Sequence, residues 1–128
     1  MNSAAVGAVL YAEDHTGLAA FYRDALGFVL LERDSEHARL RCGEFDLVVH
    51  RVTPDRAGST TAGPPQRREL GPIRLVFSVA DVDACRAVAL SLGGQIDGLP
   101  PRWAAVDSKL RLGHDPEGNV FQVQPQAP

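Results

Sequence analysis

The stretch AVGAVLYAEDHTGLAAFYRDALG, residues 5–27, shares its pattern with PIRLVFSVADVDACRAVALSLGG, residues 72–94, at an offset of 67 residues, and this repeat predicts the fold. Each copy begins with a short apolar run that is typical of a strand and continues with apolar residues at helical spacing. Asp14 and Asp81 precede the two predicted helices, where a short carboxylate side chain is a favoured N-cap. The glycine that ends each stretch is the predicted C′ residue of its helix. Because strand, cap, helix length and stop all agree, the sequence indicates a duplicated unit.

Three further strand patterns follow each helix. They lie at 28–34, 37–42 and 45–52 in the first copy and at 95–99, 108–113 and 119–124 in the second. The last strand follows DPEGN at 115–119, whose proline and glycine predict a tight turn. The chain is therefore predicted to be an α+β protein of two paired βαβββ modules. We assign residues 1–53 to the first module, 54–71 to a flexible connector rich in Gly, Pro, Ser and Thr, and 72–128 to the second module.

Composition excludes several classes of protein. The 128 residues contain 13 Lys and Arg against 16 Asp and Glu, so there is no cationic surplus to neutralise nucleic-acid phosphates. The apolar run at 4–12 is too short to span a bilayer and lacks the features of a signal peptide. Two cysteines without a metal-binding pattern predict neither a disulfide framework nor a zinc site. We therefore expect a cytoplasmic protein with no nucleic-acid or membrane partner, and we interpret Arg67 and Arg68 in the connector as a solvated patch.

Two segments carry a family resemblance. FYRDALGF at 21–28 and DPEGNVF at 115–121, together with the duplicated unit around them, resemble the vicinal oxygen chelate superfamily. This superfamily includes glyoxalase I, extradiol dioxygenases, fosfomycin-resistance transferases and bleomycin-binding proteins. The resemblance implies that the paired modules form an open, cup-like barrel, commonly within a homodimer.

The resemblance also implies four inward-facing positions at which metal-dependent members carry His, Glu or Gln. Counted from the two motifs and from the repeat, these positions fall on Gly7, Leu47, Arg74 and Gln122. Glycine and leucine offer no donor atom, and a protonated guanidinium repels a cation. One neutral amide oxygen does not hold a divalent ion against water. We therefore expect neither a metal nor another cofactor.

The four histidines do not replace these ligands, because no two of them share a spacing such as HxH or HxxxH. His50 is one residue out of phase with Leu47 and Val49, which alternation is predicted to place inside the cup, so His50 should point away from it. We interpret His15 and His37 as solvated or capping residues, and we expect His114 at the rim of the cup.

The same alternation predicts an apolar cup with sparse polar groups, as in a small-molecule pocket. The expected ligand contacts, taken from the strands and from one Pro-rich loop, are Tyr11, Leu47, Arg74, Trp103 and Gln122. Trp103 either stacks on a flat ligand or plugs the cup and the dimer interface.

Arg74 is expected to be buried and therefore to need a partner, since an unpaired buried charge costs several kcal/mol. That partner is either an anionic group of the ligand or a carboxylate of Glu13, Asp46 or the second subunit.

These features favour a metal-independent small-molecule-binding protein that holds an aromatic or amphipathic ligand, including an anionic one, and forms a homodimer. No catalytic residue is assigned. Two alternatives stay open. One is a lyase, isomerase or dioxygenase of the same superfamily, either metal-dependent with displaced ligands or cofactor-free with Arg74 as the electrophile. The other is a non-catalytic interaction domain whose cups close a dimer.

Overall fold

Each half of the chain folds as one βαβββ unit. A computed structural model describes residues 4–53 and 66–127, and the chain divides into the units Met1–Pro64 and Pro65–Pro128. Within those described residues, each unit carries one four-stranded sheet and one helix. The predicted α+β fold with two βαβββ modules is confirmed. Most of the predicted connector, residues 54–65, lies outside the described residues.

The two units share one strand order. The elements of the first are β1 (Val6–Ala12), α1 (His15–Leu26), β2 (Val29–Arg33), β3 (His37–Cys42) and β4 (Phe45–Arg51). Those of the second are β5 (Leu75–Val79), α2 (Val82–Ser91), β6 (Gln95–Ile96), β7 (Arg111–His114) and β8 (Val120–Pro125). The sheet orders are β1-β4-β3-β2 and β5-β8-β7-β6. In each sheet the first pair in this order is parallel and the other two pairs are antiparallel.

Both helices begin at the predicted aspartates. The Asp14 carboxylate accepts a hydrogen bond from the Gly17 backbone N–H at 3.0 Å, and Asp81 accepts one from the Ala84 N–H at 3.1 Å. Each bond satisfies a backbone donor of the first turn that has no partner within the helix. α1 has 12 residues and α2 has 10, and in the part of the chain that the structure describes no helix is long and apolar enough to cross a membrane.

The helix ends follow the prediction in the first unit and depart from it in the second. Gly27 ends α1 in the left-handed conformation, with φ 78°. In the second unit the positive φ belongs to Gly93, at 90°, so the prediction of Gly94 as the C′ residue was wrong by one position. Gly94 instead donates its backbone N–H to the Ala89 carbonyl oxygen at 2.9 Å. Two adjacent glycines left this choice open, because either could adopt the left-handed conformation.

α1 covers one face of the first sheet and buries it. Its residues Leu18, Phe21 and Tyr22 are nearly inaccessible, and so are Leu40 of β3 and Leu47 of β4 beneath them. The Phe21 and Tyr22 rings meet edge to face, with centroids 5.4 Å apart. The hydrophobic core of this unit therefore lies between α1 and the sheet, and the opposite face of the sheet is not part of it.

His15 belongs to this buried layer. It is 8% exposed, and its Nε2 donates to the carbonyl oxygen of Asp34 at 2.9 Å, which joins the start of α1 to the turn between β2 and β3. The interpretation of His15 as a solvated or capping residue was therefore wrong, and its role is to link two elements of the unit.

The strands of the second unit are shorter than predicted. β6 has only two residues, and β7 begins at Arg111, so residues 97–110 form a loop. Pairing ends with the Asp97 N–H, which donates to the Leu112 carbonyl oxygen at 2.8 Å, and Pro100 and Pro101 further along the loop offer no N–H with which a ladder could resume. Trp103 lies in this loop, as predicted.

The turn before β8 is built around the carboxylate of Asp115, which is fully buried. Its Oδ1 accepts the backbone N–H of Glu117 at 2.9 Å and that of Asn119 at 3.1 Å, and its Oδ2 accepts the Asn119 side-chain amide at 2.9 Å. The predicted tight turn is confirmed, and Asp115 is one of the residues that hold its shape.

Candidate functional site

The first sheet has an open face, which we define by Val9 and Tyr11 of β1, Val48 and His50 of β4, and Arg39 of β3. The parallel register pairs Val9 with Val48 and Tyr11 with His50, and the antiparallel register pairs Arg39 with Val48. Paired residues project to the same side of a sheet, so these five side chains share one face. Val9 is 53% and Tyr11 66% exposed. Regular strands thus hold two large apolar side chains on the side that α1 does not cover.

The predicted phase of β4 was wrong. Leu47 and Val49 are 0% exposed and lie on the face beneath α1, opposite fully buried Leu40 and Ala38 of β3. Leu47 therefore belongs to the core, and Val48 takes the open-face position that was assigned to it. The three consecutive apolar residues Leu47, Val48 and Val49 show no alternation, because each of the two possible phases places one valine on each face of the sheet.

The corrected phase of β4 also places His50 on the open face. It is exposed and shares the open face with Tyr11, with the two ring centroids 6.0 Å apart. The expectation that His50 points away from this face was therefore wrong, for the same reason. In the antiparallel register His50 lies opposite His37 of β3.

One end of the first sheet carries a charged cluster around Asp46. Arg41 donates from Nε at 2.6 Å and from Nη2 at 3.0 Å to the two carboxylate oxygens, while Nη1 of Arg39 lies 3.4 Å from Oδ2. The backbone N–H of Ala4 also donates to Oδ2, at 3.2 Å. Hydrogen bonds from Arg41 hold the pKa of the Asp46 carboxyl far below its ordinary value, against the effect of burial. Asp46 is therefore an anion that this unit itself neutralises.

In the second sheet, Gln122 shares a face with Val76, its parallel partner on β5. Phe77 and Val123, one residue further along each strand, are buried on the other face. Val76 is 52% exposed, and the Gln122 side-chain amide donates to the Gln124 amide oxygen at 3.3 Å. The predicted phase of these two strands agrees with the structure.

Arg74 precedes β5 and is exposed, so the expectation of a buried charge was wrong. Its Nη2 lies 3.4 Å from the carbonyl oxygen of Glu69, a long contact. The predicted alternative partner Asp46 is bound by Arg41 instead.

Arg67, by contrast, is a structural residue rather than part of a solvated patch. Its Nη1 and Nη2 donate to the two carboxylate oxygens of Asp97 at 2.7 and 2.9 Å, and its Nε lies 2.6 Å from Oε1 of Glu69. Burial alone would raise the pKa of Asp97, but hydrogen bonds from Arg67 and Gln95 outweigh it and lower that pKa. The paired guanidinium fastens the segment before β5 to the end of β6.

Trp103 stands 63% exposed on the loop between β6 and β7, together with Leu99 and Val106 of the same loop. Three large apolar side chains of this loop are therefore exposed, and the flat indole of Trp103 is the one suited to stacking on a flat molecule.

The four positions implied for a metal do not fit one. Gly7 runs so close to β4 that a Cβ on it would lie 2.5 Å from the Asp46 carbonyl oxygen, so no ligating side chain fits there without moving the backbone. Val48, which replaces Leu47 after the phase correction, has no donor atom either. Arg74 is a cation, which leaves the amide of Gln122 as one neutral donor. Within residues 4–53 and 66–127, no three His, Cys, Asp or Glu side chains are arranged to hold a metal ion.

The chain matches a known protein family over most of its length. The family model described as a glyoxalase-like domain matches residues 7–124. The chain belongs to this family. It is thereby a member of the vicinal oxygen chelate superfamily, as the motifs at 21–28 and 115–121 indicated.

Solved structures of glyoxalase-like proteins share the fold. A lactoylglutathione lyase from Agrobacterium tumefaciens is 26% identical, with a TM-score of 0.60 over 95% of this chain and 92% of that one. The bleomycin-binding protein of Streptomyces verticillus, solved with copper(II)-bleomycin, is 20% identical, with a TM-score of 0.59 over 99% and 98%. A glyoxalase/bleomycin resistance protein/dioxygenase family enzyme from Burkholderia phytofirmans PsJN is 20% identical, with a TM-score of 0.63 over 91% and 94%. No curated protein sequence matches the chain significantly.

Proposed function

We propose that this glyoxalase-like protein binds a small aromatic or amphipathic molecule, including an anionic one, without using a metal ion for recognition. The observation that carries the proposal is the open face of the first sheet, where Val9 and Tyr11 stand more than half exposed on a regular strand. Contiguous exposed apolar surface on a well-ordered element is typical of a binding site. The bleomycin-binding protein with the same fold was solved in complex with copper(II)-bleomycin, which supports a small-molecule ligand for this fold.

The proposed contacts in the first unit are Tyr11, Val9 and Val48, with Val48 replacing Leu47. In the second unit they are Gln122, whose amide can orient an oxygen of the ligand, and the exposed residues Arg74 and Trp103. Among residues 66–127 no carboxylate forms an ion pair with Arg74, and a guanidinium in this state is suited to a ligand carboxylate or phenolate. Metal independence is supported by the donor chemistry of the four family positions, since Gly7 and Val48 offer no ligand at all.

A calorimetric titration, which needs no reporter group at the site, tests the proposal. Protein treated with a chelator is titrated with metal-free bleomycin, with copper(II)-bleomycin and with the aromatic anion anilinonaphthalene sulfonate. We expect saturable binding of at least one probe, weakened about tenfold by Tyr11→Ala. Leu90→Ala, which removes an equally exposed apolar side chain from α2, is the matched control and should bind normally. Binding that appears only after a divalent ion is added would favour the enzyme alternative instead.

Self-association is a second candidate use of the same surfaces. Val9, Tyr11 and Val76 are each more than half exposed, and burying such residues between two copies is a common way to form a two-fold dimer. Light scattering at micromolar concentration tests this: a dimer mass for the wild type and a monomer mass for Val9→Ser support it. A monomeric wild type would refute it.

We also propose that the protein is located in the cytoplasm. Its two cysteines, Cys42 and Cys85, are both free, and Cys42 is exposed, as is usual where thiols stay reduced.

A further inference from the structure

Tyr11 and His50 lie side by side at one end of the open face, and the proposed ligand contacts include only Tyr11. The parallel register pairs the two residues, and their ring centroids lie 6.0 Å apart with the ring planes inclined by 60°. Both residues are exposed. A third ring stacked between them would need a gap of about 7 Å, because carbon atoms in contact lie about 3.5 Å apart. A flat molecule that packs on Tyr11 therefore has the His50 ring at its side.

The hydrogen bond of His50 determines which of its ring nitrogens carries the proton. Nδ1 lies 2.9 Å from the carbonyl oxygen of Arg51, which can only accept, so Nδ1 is the donor. In the neutral ring Nε2 then holds a lone pair and accepts, whereas in the imidazolium ion the Nε2–H donates. The Nε2 edge of His50 is therefore suited to a ligand hydroxyl when the ring is neutral and to a ligand carboxylate when it is protonated.

The histidine opposite His50 lies beside two carboxylates. His37 of β3 is the antiparallel partner of His50. Its Nδ1 is 3.0 Å from Oδ1 of Asp34, and its Nε2 is 3.3 Å from Oε1 of Glu32. A positive charge on His37 is therefore offset within its own surroundings.

The two nearest guanidinium groups also lie beside carboxylates. Nε of Arg39 is 3.5 Å from Oε1 of Glu32, and its Nη1 is 3.4 Å from Oδ2 of Asp46. Arg51, the next residue of β4, has its Nη1 4.0 Å from Oε1 of Glu36. These cations are thus already close to anions of the first unit.

His50 has different electrostatic surroundings. Among residues 4–53 and 66–127, no carboxylate forms an ion pair with it. On β1 the ionisable group that faces it is Tyr11, and Glu13 follows Tyr11 by two residues, beyond the end of the strand. A proton on His50 therefore adds a positive charge beside Tyr11 that no carboxylate offsets at close range.

We propose that Tyr11 and His50 form a subsite of the open face for a planar aromatic carboxylate, whose ring packs on Tyr11 and whose carboxylate accepts from the Nε2–H of protonated His50. This inference rests on the proposed function and deepens it, because it names the class of ligand and the group that recognises its charge. Imidazole is the side chain whose charge ordinarily changes between about pH 5 and pH 8, whereas carboxylates and guanidinium groups keep theirs. An aromatic carboxylate should therefore bind more tightly as the pH falls through this range, and a neutral aromatic alcohol should not.

Calorimetric titration of the chelator-treated full chain at about pH 6 and pH 8 with two matched naphthalene compounds tests the proposal. Over this range 2-naphthoate stays ionised and 2-naphthol stays neutral, so a change in affinity reports a change in the protein. We expect 2-naphthoate to bind about threefold more tightly at the lower pH, which is the size of an exposed ion pair, and 2-naphthol to change less than about twofold. His50→Gln should abolish the pH dependence for 2-naphthoate. His37→Gln on the opposite strand and His114→Gln in the second unit are the matched controls and should keep it.

Three results would overturn the subsite: full pH dependence in His50→Gln, loss of the pH dependence in His37→Gln, or equal strengthening of 2-naphthol at the lower pH. Circular dichroism of each variant confirms the fold. Tyr11→Ala separates this inference from the proposed function. If it weakens both compounds at pH 8, the open face is the binding surface whatever His50→Gln shows. A wild type that binds neither compound refutes the subsite, whereas the proposed function fails only if the probes of its own titration also fail to bind.

Discussion

Two neighbouring valines of β4 test the orientation of the first sheet. Val49 is fully buried beneath α1, whereas Val48 lies on the open face, so the same change from valine to threonine has opposite surroundings at the two positions. Threonine keeps the shape and the strand preference of valine and replaces one methyl group with a hydroxyl group. Any difference in stability between the two variants therefore reports which side chain faces the core.

The expected magnitudes follow from burial. The strand partners of Val49 are Leu10 and Ala38, whose side chains offer no hydrogen-bonding group, so the new hydroxyl loses its hydration without compensation from them. A buried hydroxyl of this kind costs about 2 kcal/mol. Val48→Thr leaves the hydroxyl near solvent, and we expect a change within about 0.5 kcal/mol.

Urea unfolding followed by circular dichroism measures both values, and thermal unfolding should show roughly an 8 °C lower Tm for Val49→Thr alone. Equal destabilisation by the two variants, or a larger loss for Val48→Thr, would refute the assignment of faces. It would also return Leu47 to the open face.

Three further predictions concern charged groups. Asp46 has a lowered pKa, so its stabilising contribution is fully present above about pH 4, begins to fall below that value and is lost only as the pH passes through the lowered pKa of the folded protein. Urea unfolding should therefore show Asp46→Asn less stable than the wild type at pH 7 and a smaller difference between the two proteins at pH 3; a difference that does not shrink would contradict this role. Asp115→Ala should cost about 3 kcal/mol in urea unfolding, because three N–H groups of the turn lose their acceptor; a loss below about 1 kcal/mol would contradict that role. Arg67→Ala should lower the free energy of unfolding by about 1 kcal/mol, because it removes the paired contact with Asp97. Arg68→Ala keeps the hydrogen bond from the Arg68 backbone N–H to Gly118 and should leave stability unchanged, so equal losses for the two variants would disprove the structural role of Arg67.

The duplicated pattern predicted the architecture because its signals are local. Asp14 and Asp81 mark helix starts by a short-range hydrogen bond, and the turn at 115–119 is determined by its own residues. Features of this kind require no knowledge of distant contacts. The lengths of β6 and β7 were less predictable, because they depend on where the pairing between these two strands ends.

The candidate site was harder to predict because it depends on strand phase. In β5 and β8, polar Ser78 and Gln122 alternate with buried apolar residues, so the correct face could be read from the sequence. In β4 the run LVV carries no alternation, and the misassigned phase displaced Leu47 and hid the position of His50. The sequence does contain one usable signal, the charged residue Asp46 just before the run. A charged side chain is expected to face away from the core, and alternation then places Val48 and His50 on the same side as Asp46.

Arg67 shows a different limit of sequence analysis. Nothing near it in the chain indicates a partner 30 residues away, yet its bond to Asp97 is among the shortest ion pairs in the described residues. Long-range pairs of this kind depend on the tertiary arrangement of the unit, so a local pattern does not reveal them.

Calorimetric titration of one protein preparation with anilinonaphthalene sulfonate, before and after removal of divalent ions by a chelator, tests whether ligand binding requires a metal ion. Metal content is measured in the same samples. We expect the same dissociation constant and stoichiometry in both samples, together with weaker binding for Tyr11→Ala and unchanged binding for Leu90→Ala. Loss of binding on chelation that is restored by one equivalent of a divalent ion would contradict it.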